Sequence, residues 1–191
     1  MRTLLKNRLH RARSFALALL FAVAAGTPAL AEPASCLDPG QVTGKLSPVD
    51  LWESIGACVT AGRYDAAVFL YAVAGSFARF DVLRVADDSA HRAAAELARA
   101  GVAALPQPQA AAFRQRVQAT LGDDATRARY CAEVERAGPP DYLPGYMLRE
   151  GIGGFNGASD AHPFVDGFDP KSAWPRAVRE YLECPGVRAG S

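Results

Sequence analysis

The chain has 191 residues, with 21 basic and 20 acidic side chains. Five of the basic residues and none of the acidic ones fall within the first 31 positions, so the remaining 160 residues carry a net charge of −4. This charge argues against nucleic acid or an anionic membrane surface as the main partner, and 160 residues suit one domain with a sizeable core.

Residues 1–31 have the three parts of a secretory signal peptide. Basic residues come first, an apolar run follows from Phe15 to Ala25, and Ala29-Leu30-Ala31 is typical of a cleavage site. The apolar run is shorter than the roughly 20 residues that span a bilayer, so we expect no stable membrane anchor. We therefore predict a periplasmic or secreted protein whose mature chain, residues 32–191, forms a single helical domain.

All four cysteines lie in the exported part of the chain. In an oxidising compartment an even number of cysteines indicates disulfides. The sequence contains no C-x2-C pair, so the cysteine spacing does not indicate a zinc site. Four cysteines allow three pairings. We favour Cys36 with Cys58, which would tie an N-terminal arm (residues 32–47) to the first helix, and Cys131 with Cys184, which would tie a late helix to the last one.

Two helices are predicted in the stretch that follows the arm. Ser47 and Pro48 are typical of a helix start, and Gly62 is typical of a helix end. Apolar residues recur at three- and four-residue intervals on one face of the first helix, namely Leu51, Trp52, Ile55, Cys58 and Val59. The second helix starts near Asp65 and is apolar almost all round, so neighbours should cover it on several sides.

The spacing in this stretch follows two elements of a known repeat: Trp52-x2-Ile55-Gly56-x2-Val59 matches W-x2-L-G-x2-Y, and Ala67-x3-Tyr71 matches A-x3-F. The chain from Trp52 to Ala74 therefore resembles one hairpin of the tetratricopeptide repeat family. The resemblance implies that the small residues Gly56 and Ala67 let the two helices approach closely. It also implies a concave helical face that engages a peptide, and a core completed by the other helices, since no second copy follows.

Further helices are predicted along the rest of the chain. They comprise a helical turn over Phe80–Val85, an alanine-rich helix near Ser89–Leu105, a helix near Gln109–Leu121, one that runs to about Ala137, and a last helix from Asp169 to Glu183. The tail after Pro185, residues 186–191, is predicted to be disordered. Because no useful run alternates apolar and polar residues, we expect an all-α fold of packed antiparallel hairpins, stapled by disulfides.

A long loop rich in glycine, proline and aromatic residues separates the last two of these helices, over residues 138–168. Loops of this length in compact domains are often functional. Four residues could form an exposed recognition patch, because aromatic residues and methionine are enriched at interfaces: Tyr142, Tyr146, Met147 and Phe155. Alternatively, these residues fold back and plug the end of the helical stack.

The same loop holds the weak candidates for other chemistry. No predicted strand precedes its glycines, and no G-K-[ST] sequence follows them, as a phosphate-binding loop would require. We therefore expect no phosphate site. Asp160, His162 and Asp166 could offer ligands to a hard metal ion, but they lack the spacing of a calcium loop. We therefore expect a solvated acidic loop with neither a metal ion nor another cofactor.

These observations predict an exported protein that binds another protein, such as an exported enzyme or an envelope component. Its role would be that of an adaptor or of an inhibitor or immunity-type protein, and not that of an enzyme. The alternative is a small carboxylate-based hydrolase with its site around the glycine-rich loop. A deep pocket that holds two or more convergent carboxylates would favour the hydrolase.

Overall fold

The computed structural model describes residues 34–151 and 163–185. Its α-helices are α1 (Pro48–Thr60), α2 (Tyr64–Arg84), α3 (Arg92–Ala103), α4 (Gln107–Leu121), α5 (Asp124–Arg136), α6 (Gly145–Leu148) and α7 (Pro170–Leu182). No strand occurs in these residues, and an isolated antiparallel bridge joins Val85 to Phe164. The all-α prediction is confirmed, whereas the predicted signal peptide and tail lie outside the described residues.

Helix α1 begins where the capping residues place it. The Ser47 hydroxyl accepts a hydrogen bond from the Asp50 amide, and the Asp50 carboxylate accepts one from the Ser47 amide at 2.8 Å. These reciprocal bonds satisfy amides that have no partner within the helix. After α1 the chain turns at Gly62, whose φ of 72° favours glycine, and it enters α2 two residues later.

Helix α2 is the centre of the fold. It is long and apolar enough to cross a membrane, but 67% of its most apolar window is buried inside the protein. Helices α1, α3, α4, α5 and α7 pack around it. The separate turn predicted over Phe80–Val85 is instead the last part of this helix, because nothing between Tyr64 and Arg84 interrupts the backbone hydrogen bonds.

Close approaches between helices occur at two glycines that the sequence did not single out. A Cβ atom on Gly75 of α2 would lie 1.8 Å from the Tyr181 ring of α7, and one on Gly101 of α3 would lie 2.3 Å from the Trp52 ring. The prediction that Gly56 provides the close approach is wrong, because a Cβ there would meet only the Leu105 side chain at 4.0 Å.

Both favoured disulfides are present. Cys36 pairs with Cys58, and Cys131 pairs with Cys184, so that no cysteine is free. The first bond fixes the N-terminal arm on α1, and Ser54 supports it by accepting a hydrogen bond from the Leu37 amide at 2.9 Å. The second bond joins α5 to the residues that follow α7. Two disulfides are consistent with an oxidising, exported compartment.

The disulfide framework predicts that the denatured, unreduced protein contains no titratable thiol. Each bond should contribute about 2 to 4 kcal/mol to the free energy of unfolding, mainly by restricting the unfolded chain. Thiol titration before and after reduction measures the first expectation, and unfolding in urea with and without reductant measures the second. Two or more thiols in the unreduced protein would contradict the framework.

Alanine substitutions at two helical glycines should have opposite effects on stability. Alanine is favoured over glycine in a helix interior by roughly 0.5 to 1 kcal/mol, so Gly56→Ala should stabilise the protein. Gly75→Ala should destabilise it by about 1 to 3 kcal/mol, because the Tyr181 ring must leave its packed position. Urea unfolding of the two variants tests both expectations. Equal effects would show that Tyr181 does not pack on α2 in solution.

Candidate functional site

The segment after α5 is attached to the C-terminal end of α2 from two sides. Arg84 donates a hydrogen bond from Nη2 to the Tyr142 carbonyl at 2.8 Å. The Val165 amide donates to the Arg84 carbonyl at 2.8 Å, and the Ala86 amide donates to the Pro163 carbonyl at 3.0 Å. The end of α2 therefore positions the residues near 142 and those near 164 beside each other.

A buried carboxylate lies at the centre of this attachment. The Asp81 side chain has no exposed surface. Its Oδ2 accepts hydrogen bonds from the Tyr142 hydroxyl at 2.8 Å and from the Tyr146 hydroxyl at 3.0 Å. Its Oδ1 accepts from Arg84 Nε at 2.8 Å, and Arg84 Nη2 lies 2.7 Å away. The charge of Asp81 is thus paired and hydrogen-bonded, as a buried charge must be.

Burial controls the titration of this cluster. It raises the pKa of Asp81 above its ordinary value, although the Arg84 charge and the two tyrosine hydroxyls act in the opposite direction. Burial, together with the neighbouring Asp81 charge, also raises the pKa of Tyr142 and of Tyr146 far above the ordinary value. Both hydroxyls therefore remain protonated near neutral pH and act as hydrogen-bond donors.

Aromatic rings surround the Arg84 guanidinium. Its central carbon lies 5.3 Å from the centre of the Phe80 ring, 5.0 Å from that of Tyr142 and 5.4 Å from that of Phe164. A guanidinium within about 6 Å of a ring centre is attracted to the ring face. Arg84 thereby connects α2 to both sides of the following segment through its rings as well as its hydrogen bonds.

A cleft of about 500 Å³ opens beside this cluster. Phenylalanine and proline side chains make up most of its wall, which comprises Phe80, Arg84, Pro140, Pro163, Phe164, Val165, Asp166, Gly167, Phe168 and Pro170. The volume falls in the range of ordinary ligand-binding pockets. We call it the aromatic cleft.

Two large hydrophobic side chains are strongly exposed at this end of the protein. Leu143 is 66% exposed and Val165 is 43% exposed, and in the described part of the chain no other large hydrophobic residue is classed as exposed. Val165 lines the aromatic cleft, while Leu143 follows the residue whose carbonyl is bound by Arg84. Val165 thus adds an exposed apolar group to the wall of the aromatic cleft.

None of the three described residues that were predicted to form a recognition patch is strongly exposed. Met147 is fully buried and packs with Val85, Ala90 and Ala93. Tyr142 and Tyr146 are half-buried and direct their hydroxyls towards Asp81, in the manner of the plug alternative. Phe155 lies outside the described residues.

The predicted metal candidates are not brought together by the described part of the chain. Asp166 is exposed on the wall of the aromatic cleft, whereas Asp160 and His162 lie outside the described residues. Among the residues that the structure describes, no group of three His, Cys, Asp or Glu side chains could hold a metal ion.

A second groove, of about 380 Å³, lies between the start of α2 and α4. Arg116 and Asp65, which both line it, form an ion pair in which Nε lies 2.7 Å from Oδ1. The groove is therefore more polar than the aromatic cleft and already contains its own charge partners.

Sequence reasoning missed Asp81, Arg84, Leu143 and Val165. A signal for the first two was present, because an acidic and a basic residue three positions apart interrupt an otherwise apolar helix. Charges in such a helix must be paired within the core, so they mark a place where another segment supplies partners.

Comparison with known protein families, with curated proteins and with solved structures found no match for this chain.

The raised pKa of Asp81 predicts how its contribution to stability changes with pH. A carboxyl group with a higher pKa in the folded than in the unfolded protein binds its proton more tightly when folded. The contribution of Asp81 should therefore increase as the pH falls from the raised value towards about 4, and it should be lost as the pH rises through the raised value.

The variant Asp81→Asn provides the reference, because the amide does not titrate in this range. Urea unfolding of both proteins between about pH 7 and about pH 4 should show that acidification favours the wild type over Asp81→Asn. The opposite trend would mean that the hydrogen bonds from Arg84 and the tyrosines keep the pKa of Asp81 below its ordinary value.

Proposed function

We propose that this is an exported, disulfide-stapled helical protein that acts by binding another protein. The observation that carries the proposal is the aromatic cleft, whose wall includes the exposed Val165. The exposed Leu143 follows Tyr142, whose carbonyl accepts a hydrogen bond from Arg84 of the same wall. Protein interfaces commonly have an apolar centre with aromatic residues and a polar rim. Export is supported by the signal-like first 31 residues and by the two disulfides.

In this proposal the helical hairpin of α1 and α2, which carries the tetratricopeptide-like spacing, is a scaffold and the cleft is the recognition surface. Arg84 at the end of α2 is hydrogen-bonded to Tyr142 and to Val165, and these bonds attach the described parts of the following segment to this scaffold. Adaptor and inhibitor or immunity-type roles both need such a preformed surface, since fixing its groups in advance reduces the entropic cost of binding. The partner would be an exported enzyme or an envelope component.

A carboxylate-based hydrolase receives no comparable support from the described residues, which include only Gly151 of the glycine-rich loop around which that alternative was placed. Such an enzyme needs two carboxyl groups that face the scissile bond, about 5 to 10 Å apart. Among the described residues that line the aromatic cleft, Asp166 is the only carboxylate. Asp81, which has four hydrogen-bonding contacts, has no exposed surface from which it could reach a substrate.

Photocrosslinking in the native cells tests the proposal. A photoreactive amino acid would replace Leu143 beside the cleft, Gln115 in the second groove, or Glu53 on the exposed side of α1. We expect a protein adduct of defined mass from position 143 and none from position 53. An adduct only from position 115 would move the recognition surface to the second groove. The absence of adducts from both 143 and 115 would contradict a protein-binding function.

A further inference from the structure

Exposed aspartates accompany the aromatic cleft, whose wall consists largely of phenylalanine and proline residues. Asp166 lines the cleft and is exposed, and Asp141 and Asp169 are exposed and adjoin lining residues in the chain. Two exposed lysines oppose part of this negative charge: Lys171, and Lys45, which follows Gly44, whose carbonyl accepts a hydrogen bond from the Asp141 amide. The Asp169 carboxylate also caps α7. Near the cleft, a cation of a partner is therefore attracted and an anion is repelled.

The interior of the cleft adds little net charge of its own. The Arg84 guanidinium is only 8% exposed and is paired with Asp81 at 2.7 Å. The Phe168 ring packs edge-to-face against Phe80 with ring centres 5.3 Å apart, which holds the wall in place. The cleft thus combines a wall rich in phenylalanine and proline with exposed aspartates at its edge.

We propose that the aromatic cleft receives a segment of a partner protein that presents one apolar side chain flanked by lysine or arginine. This inference rests on the proposed protein-binding function and specifies the chemistry of the partner. The apolar side chain lies against Phe164, Val165 and Phe168, and the flanking cations lie near Asp166 and Asp141. The net charge of −4 of residues 32–191 favours the approach of such a segment.

Short peptides of defined sequence test this chemistry directly. The probes are acetylated, amidated pentapeptides with the sequences Lys-Lys-Phe-Lys-Lys, Glu-Glu-Phe-Glu-Glu and Lys-Lys-Ser-Lys-Lys. Titration of the 15N-labelled mature protein, followed by NMR, should show shifts at the amides of Phe164, Val165 and Phe168 with the first peptide. Its Kd should be at least about tenfold lower than that of each of the other two peptides at low salt.

Charge-reversal variants provide the matched control. Asp166→Lys should weaken binding of Lys-Lys-Phe-Lys-Lys at least about threefold and improve binding of the glutamate peptide. Glu53→Lys makes the same change in net charge on α1, away from both grooves, and should leave the affinities nearly unchanged. Equal effects of the two variants would show that only net charge matters, and the proposed site would then be wrong.

Other outcomes also overturn the inference. The inference is wrong if the lysine and glutamate peptides bind with equal affinity, if neither binds at millimolar concentration, or if the shifts are confined to the second groove. It is also wrong if the cleft amides shift with protein concentration in the absence of peptide, because the cleft would then bind a second copy of this chain. A crosslinked adduct at position 143 combined with failure of the lysine peptide would reject this chemistry alone. Peptide binding without adducts in cells would reject the proposed function alone.

Discussion

Helix α2 is apolar on almost every side, and the whole fold depends on covering it. No single neighbour can bury such a helix, because a packed helix covers only one stripe of another. Helices α1, α3, α4, α5 and α7 therefore enclose it together, although α4, α5 and α7 come from distant parts of the chain. Gly75 allows the Tyr181 ring of α7 to lie directly on the α2 backbone. The Cys131–Cys184 bond then joins α5 to the end of α7, so two of the covering helices are held together covalently.

Asp81 and Arg84 are the buried charged residues of this helix, and they explain the position of the following segment. Bringing a charge out of water costs several kcal/mol unless other groups replace the lost hydration. Tyr142 and Tyr146 supply hydroxyl donors to Asp81, and the Tyr142 carbonyl accepts a hydrogen bond from Arg84. The chain after α5 must therefore return to the end of α2. It turns its polar groups inward and leaves Leu143 on the outside.

The same arrangement gives the aromatic cleft a fixed shape. Arg84 touches three rings, one on α2 and two on the returning segments, so the wall of the cleft is supported from behind by hydrogen bonds and by the guanidinium. A preformed surface loses less entropy on binding than one that must first become ordered. The proposed recognition of an apolar side chain with flanking cations uses this rigidity for the apolar contact and the exposed aspartates for charge selection.

The sequence alone determined the helical class, the start of α1 at Ser47, the turn at Gly62 and a favoured disulfide pairing, because caps, turns, periodicity and cysteine number are local or countable properties. It did not determine which glycines lie under a neighbouring ring, since that depends on how α3 and α7 are rotated against their neighbours. It also left open whether Tyr142 and Tyr146 face solvent or the core. That choice was decided by Asp81, 61 residues before Tyr142 in the chain, whose buried charge requires hydrogen-bond donors that only the tertiary structure brings to it.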